Sequence, residues 1–241
     1  MEKYEIVKDD YVEECGERMY RIRALRDIPR HNVKAGDLGG YIQRYENLSQ
    51  TGDAWVADNA IVVNSALVSD DALVCDTAQV MQNAHVAEQA TVAGSAIIAG
   101  DAAVAGAAAV VGKAVVFDRA RVLGCASVHD RARCYGCAVV SDNASVHNDA
   151  QVYGNATIRG DAHVTAQHDW VYISHVSGAG YEGRGMDDLT AFRDAHGRIW
   201  IENGPLCGPL DSPEVSQWLT GTVLADVLNV CMAAPAQEND N

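Results

Sequence analysis

Nineteen alanines stand six residues apart without a break, from Ala54, Ala60 and Ala66 through Ala108 to Ala150, Ala156 and Ala162. Two residues after each comes Val or Ile, from Val56, Val62 and Val68 to Ile158 and Val164, with Cys134 the single exception. An internal repeat of this length decides the fold class before any propensity argument begins. A spacing of six would carry the alanines around an α-helix by about 240° per step at 100° per residue, so they could not share a face. On a strand, residues two apart lie on one side, because side chains alternate. Ala and Val therefore point inward together. The fifth position of each hexad carries residues such as Asp58, Asn64, Asp70, Asp76, Gly94, Gly100, Gly106 and Gly112, the types a sharp corner needs. Each hexad is then a short strand plus a corner, and three hexads close one coil. Residues 48–166 have room for about six triangular coils, and stacking at about 4.8 Å per coil makes a prism about 30 Å long. Columns of Val on Val and Ala on Ala hold each coil to its neighbours.

The Ala-x-Val hexads resemble the hexapeptide-repeat family, whose members form left-handed parallel β-helices of triangular cross-section. The resemblance implies the hand; the general preference for right-handed crossovers implies the opposite one. The expected fold is thus an all-β solenoid, a left-handed parallel β-helix with an N-terminal β cap over residues 1–47 and a small α+β region over 167–232. In the cap, Met19-Tyr20-Arg21-Ile22-Arg23-Ala24-Leu25 reads as a strand, followed by a turn-rich Gly36-Asp37-Leu38-Gly39-Gly40. After Ala166 the period is lost. Asp169-Trp170-Val171-Tyr172-Ile173 reads as a strand and Gly178 to Gly185 as a flexible loop. Leu189–Arg193 and Arg198–Ile201 flank Asp194-Ala195-His196-Gly197, a hairpin pattern. Ser212-Pro213-Glu214 supplies the cap, first-turn proline and first-turn acid that open a helix running to about Val230, and 233–241 reads as a disordered tail.

A finer resemblance rests on Gly36-Asp37-Leu38-Gly39-Gly40-Tyr41-Ile42, Glu46-Asn47-Leu48-Ser49, Gly52-Asp53-Ala54-Trp55-Val56 and Leu189-Thr190-Ala191-Phe192-Arg193. These segments look like the YdcK-like proteins of bacteria and their phages, which are described as hexapeptide-repeat transferases largely on their fold. Fold alone does not establish activity.

Composition limits the partners. The net charge of −15 divides as about −1 over residues 1–47, −6 over the repeat and −8 over the remainder. Such acidity opposes direct binding to nucleic acid or an anionic membrane, while leaving open an acidic nucleic-acid mimic. Asp is also simply a good corner residue. Seven cysteines, odd in number and unevenly placed, suit a reducing compartment. With neither a secretion signal pattern nor an apolar run of membrane length, the expected location is the cytoplasm.

The repeat phase sorts the outward residues onto three faces. One carries Ile61 and Val63, Gln79 and Met81, Ile97 and Ala99, Val115 and Phe117, Arg133 and Tyr135, and Gln151 and Tyr153. This column is too apolar for a continuous wet strip and is the expected oligomer interface; the resemblance implies a homotrimer of parallel prisms. A second face stacks His129 under His147, with His163 and Thr165 one coil on. All six basic residues of the repeat, Lys113, Arg119, Arg121, Arg131, Arg133 and Arg159, fall in the later coils. Hexapeptide acyltransferases use a His as general base with acyl-CoA between neighbouring prisms. The resemblance therefore makes His129 and His147 the catalytic candidates, with Arg121, Arg131, Arg133, Arg159 and His163 as ligand-binding candidates. His85 stands alone on the third face. Such enzymes usually divert a loop from the prism to shape the acceptor pocket, and here no hexad is interrupted.

No metal site is expected. Cys134-Tyr135-Gly136-Cys137 spells CxxC, but the phase turns Cys134 inward and puts Cys137 at a corner, and two stacked His with Cys75 three coils away are too few ligands. The glycines at 178, 180, 183 and 185 lack the Lys-Ser/Thr ending of a phosphate loop. The reading favoured by these residues is a noncatalytic oligomeric binding or scaffold protein of the kind phages carry, without a cofactor. It would act on a host protein or hold a small anionic ligand between subunits. The alternatives are an acyl-CoA-dependent acyltransferase and an acidic nucleic-acid mimic.

Overall fold

A computed structural model describes residues 2–14, 16–165, 171–174, 189–193, 198–203 and 206–218. Each hexad forms a rung of two or three residues followed by a turn, from β4 (Trp55–Val56) to β22 (His163–Thr165). Every third rung joins the same parallel sheet, so Val56 pairs with Val74 and Val92 with Val110. Three sheets result, and they are the three sides of the prism. Face A has rungs opening at Ile61, Gln79, Ile97, Val115, Arg133 and Gln151. Face B opens at Trp55, Leu73, Thr91, Ala109, Ser127, Ser145 and His163, and face C at Leu67, His85, Ala103, Arg121, Val139 and Thr157.

The interior is what the repeat phase predicts. All nineteen ladder alanines and their Val, Ile or Cys partners are at most 2% exposed. Cys134 sits in its valine column as a small apolar residue, and complete burial pushes its thiol up to about 12.

The corners carry more than shape. Every fifth position from Asp58 to Gly160 has a positive φ, between 53° and 80°, the left-handed region that Gly, Asn and Asp tolerate best. Gln82 and Glu88 adopt it as well, at a cost of about 1–2 kcal/mol each. The acids do a second job there. Asp58, Asp76, Asp118, Asp130 and Asp142 each accept, on Oδ2, the backbone N–H of the corner residue one coil further on, at 2.8–3.1 Å. Side chains thus tie coil to coil at the point where the backbone turns.

The N-terminal segment extends face A. Strand β1 (Tyr4–Glu14) pairs antiparallel with β2 (Glu17–Ala24), and β2 pairs antiparallel with β3 (Leu38–Ile42). Strand β3 then runs parallel to the rung at Ile61, giving a nine-stranded sheet. Tyr41 meets Ile61 and Leu48 meets Val68, offsets of twenty residues where the repeat has eighteen. The first coil is therefore two residues longer and begins at β3, bringing the solenoid to about seven turns rather than six. Tyr4, Ile22, Ile28, Leu48 and Trp55 plug its open end. Arg21 clamps the plug: its guanidinium stacks on Tyr41 at 4.1 Å and donates to Asp10, Gly39 O and Asp58 O. Lys3 is fully buried, and its ammonium donates to Ala54 O at 2.7 Å.

Beyond the prism, β23 (Val171–Ser174), β24 (Leu189–Arg193), β25 (Ile199–Asn203) and β26 (Leu206–Pro209) form an antiparallel meander. The expected hairpin is present, Thr190 pairing with Glu202. The helix opens as expected at α1 (Pro213–Trp218), with Ser212 Oγ accepting the Val215 N–H at 3.2 Å. The expectations for Asp169-Trp170, Gly178–Gly185, Asp194–Gly197, the helix beyond Trp218 and the 233–241 tail lie outside the described residues. Among the described residues no helix is long and apolar enough to cross a membrane.

Two outcomes follow from this packing. Val110→Asp puts an unpaired charge in a closed valine column and costs on the order of 4 kcal/mol in a denaturant melt, whereas Ala109→Ser, one residue outward, stays within about 0.5 kcal/mol. Burial holds Lys3 at about 8 against an ordinary 10.5. Between those pH values the unfolded chain keeps a proton that the folded chain has released, so stability rises with pH there by up to about 3 kcal/mol. Burial also raises the Tyr4 phenol, which subtracts stability above its ordinary value of 10. A pH series of urea melts checks this, and Lys3→Met removes the rise.

Candidate functional site

Face B gathers polar chemistry at its distal end. Its last three rungs pair in register, Ser127 with Ser145 and Ser145 with His163. Beside this column runs a second, in which His129 lies beneath His147. Their rings stack with centroids 5.0 Å apart and planes within 7°, the distance one coil imposes. The His163 ring meets His147 edge-on at 6.4 Å.

Hydrogen bonds join the two columns. Ser127 Oγ donates to Ser145 Oγ at 3.1 Å, and Ser145 Oγ lies 3.3 Å from His129 Nε2. On the other side of the ring, His129 Nδ1 is 3.1 Å from Asp130 Oδ2. Asp130 is a corner brace, and the N–H of Asn148, followed by the neighbouring imidazoles, holds its carboxyl below the usual range. Burial lowers the His147 imidazole from its ordinary value, and the adjacent His129 and His163 lower it further. His147 therefore resists taking up a proton between its two neighbours.

The basic candidates do not converge on it. Arg131 follows on the same corner and is paired with Asp149 at 2.6 Å. Arg133 belongs to face A, 5.6 Å above the Phe117 ring, while Arg121 and Arg159 belong to face C. The structure brings His129, His147 and His163 together and divides the arginines among different sides. Sequence reasoning passed over Ser127, Ser145 and Asp130. Two serines eighteen residues apart, in phase with the histidines, were the available signal.

Face A carries the apolar column. Ile61, Val63, Met81, Ile97, Val115, Phe117 and Tyr135 are half-buried and Tyr153 is 43% exposed. Phe117, Tyr135 and Tyr153 form a ladder of stacked rings at 4.9 and 5.3 Å. At the cap end Tyr41 continues the column under Arg21, so the bare strip runs from Ile61 to Tyr153.

His85, on face C, lies 3.0 Å from Ser69 Oγ, whose hydroxyl donates to Asp70. Among the described residues, Asp58, Cys75 and Asp76 bring ligand-type atoms within 4.8 Å of one another. Both carboxylates serve as corner braces, and burial with the two acids pushes the Cys75 thiol up to about 11, which opposes the thiolate a metal needs. Comparison with protein-family models and with curated proteins yields no match for this chain.

Proposed function

We propose that this chain is an oligomeric binding protein of the YdcK-like, left-handed hexapeptide-repeat kind, its prisms packed along face A as a homotrimer. The observation carrying this reading is the apolar and aromatic column Val63, Met81, Ala99, Phe117, Tyr135 and Tyr153 on face A, flanked by Ile61, Ile97 and Val115, with Gln79, Arg133 and Gln151 between them. A strip of that composition is a contact surface in search of a partner, and the straight prism offers a second copy a matching straight edge. Ligands of such an assembly lie between prisms, because every hexad from Ala54 to Val164 is used for the wall. A small anionic ligand or a host protein fits this arrangement better than nucleic acid does. Cys75, Cys125, Cys134 and Cys137 are free, which supports a cytoplasmic setting. Corner bracing accounts for six of the repeat's eleven aspartates, Asp58, Asp70, Asp76, Asp118, Asp130 and Asp142, without nucleic-acid mimicry.

Acyl-CoA-dependent transfer is the second reading, favoured by the hydrogen bonds that orient His129. The scattering of the arginines weakens it, since no described face offers a cluster for the cofactor's phosphates.

Sedimentation and light scattering test the first reading. A trimer is expected, with Val115→Glu and Phe117→Glu shifting it to monomer without loss of β signal; a monomeric native chain overturns it. Calorimetric titration with CoA tests the second. The expected result is no binding, and binding that His147→Ala abolishes would move the assignment to transfer.

A further inference from the structure

The binding reading leaves unused the direction of the hydrogen bonds around Ser145. Asp130 is an ionised carboxylate and can only accept, so Nδ1 of a neutral His129 carries the ring proton and Nε2 presents a lone pair. That lone pair faces Ser145 Oγ. Ser127 donates its own proton to Ser145 Oγ, leaving the Ser145 hydroxyl proton to point at His129. The order is Ser127 to Ser145 to His129, with Asp130 behind the ring. The parts are held. Ser145 is only 8% exposed, its N–H is fixed to Ala162 O at 2.8 Å, and His147 stacks against the His129 ring. Ser69 supplies an internal contrast, because its hydroxyl proton goes to Asp70 and the His85 nitrogen must donate to it.

We propose that Ser145 is a nucleophile, activated by His129, that accepts acyl groups from activated esters or thioesters. Ser145 Oγ bonds to the acyl carbon as its proton passes to His129 Nε2. The C–O or C–S bond to the leaving group then breaks, and that proton goes to the departing alkoxide or thiolate. Water afterwards cleaves the Ser145 ester, His129 taking the water proton and returning it to Oγ as the carboxylic acid leaves. Asp130 is a positioning residue that keeps the tautomer and offsets the imidazolium charge. The amides of Ser127, His129 and Ser145 are all spent on the coil above, so these rungs lend no free pair to a developing oxyanion. Both steps are therefore slow, deacylation the slower because the Ser145 alkoxide is a poorer leaving group than a nitrophenolate or thiolate, and the 8% exposure of Ser145 favours short acyl groups. The site lies on face B and does not depend on face A, so it stands or falls apart from the oligomer reading.

The test is p-nitrophenyl acetate on the full chain, followed as nitrophenolate release, with the adduct mapped by tandem mass spectrometry and repeated with a fluorophosphonate probe. Expected is a burst of about one equivalent per chain ahead of a slow steady state, the acetyl and phosphonyl groups residing on Ser145. Ser145→Ala abolishes the burst, His129→Ala slows it about a hundredfold, and Ser69→Ala leaves it unchanged. Asp130→Asn moves the pH profile of the burst to lower pH, because the imidazolium loses its carboxylate partner, which a purely structural brace would not do. A burst that survives in Ser145→Ala, an adduct on a histidine or lysine, or no labelling of a chain whose circular dichroism is native overturns the proposal.

Discussion

Closure of a coil in eighteen residues is the constraint on which everything else depends. A rung can hydrogen-bond only to the equivalent rung one coil away, as Val115 N–H does to Ala132 O at 2.9 Å, so each turn must return in register. Return requires a sharp corner every six residues, and the corner requires a left-handed backbone. The sequence meets that demand with glycine where coils approach too closely for a side chain. At Gly100 a Cβ would lie 2.6 Å from Asp118 O. Elsewhere it uses Asp or Asn, whose carbonyl or carboxylate oxygen braces the next corner. The acidity of the repeat is in good part the chemistry of turning.

Such regularity governs where chemistry can sit. A prism wall made of alternating inward and outward residues has no interior space to spare, and its faces are flat. Outward side chains meet chiefly their equivalents one coil above and below, about 5 Å away, and the neighbouring column on the same face. That spacing suits stacked rings, and both ladders exploit it, His129 on His147 and Phe117 through Tyr135 to Tyr153. It also lets residues sixteen to eighteen apart exchange hydrogen bonds, which is how Ser145 reaches both His129 and Ser127. Function on this scaffold is written vertically.

The ends obey a different rule. A solenoid cannot leave its last open coil wet, and the N-terminal hairpin answers by becoming part of face A rather than a lid set across it. Lys3 is drawn inside as a consequence, its ammonium compensated by Ala54 O and flanked at longer range by Asp53 and Asp71. Burying an amine with so little compensation lowers its affinity for protons.

The repeat phase was legible because it is local: inward Ala and Val, corner types and face membership depend only on position modulo six and eighteen. His129 beneath His147 and the apolar column on face A followed from that arithmetic alone. The two extra residues in the first coil were not legible, since β3 breaks the hexad and joins the sheet only through pairing with Ile61. The separation of Arg131 from Arg121, Arg133 and Arg159 follows from the same arithmetic, which sets Arg133 on the apolar face and Arg121 and Arg159 on face C. The sequence by itself determined the solenoid, its core and the column in which each outward residue stands. Only the tertiary structure decided which neighbouring columns touch and in which direction their protons point. Side-chain rotamers and hydrogen-bond direction arise from contacts between coils, and no periodicity encodes them.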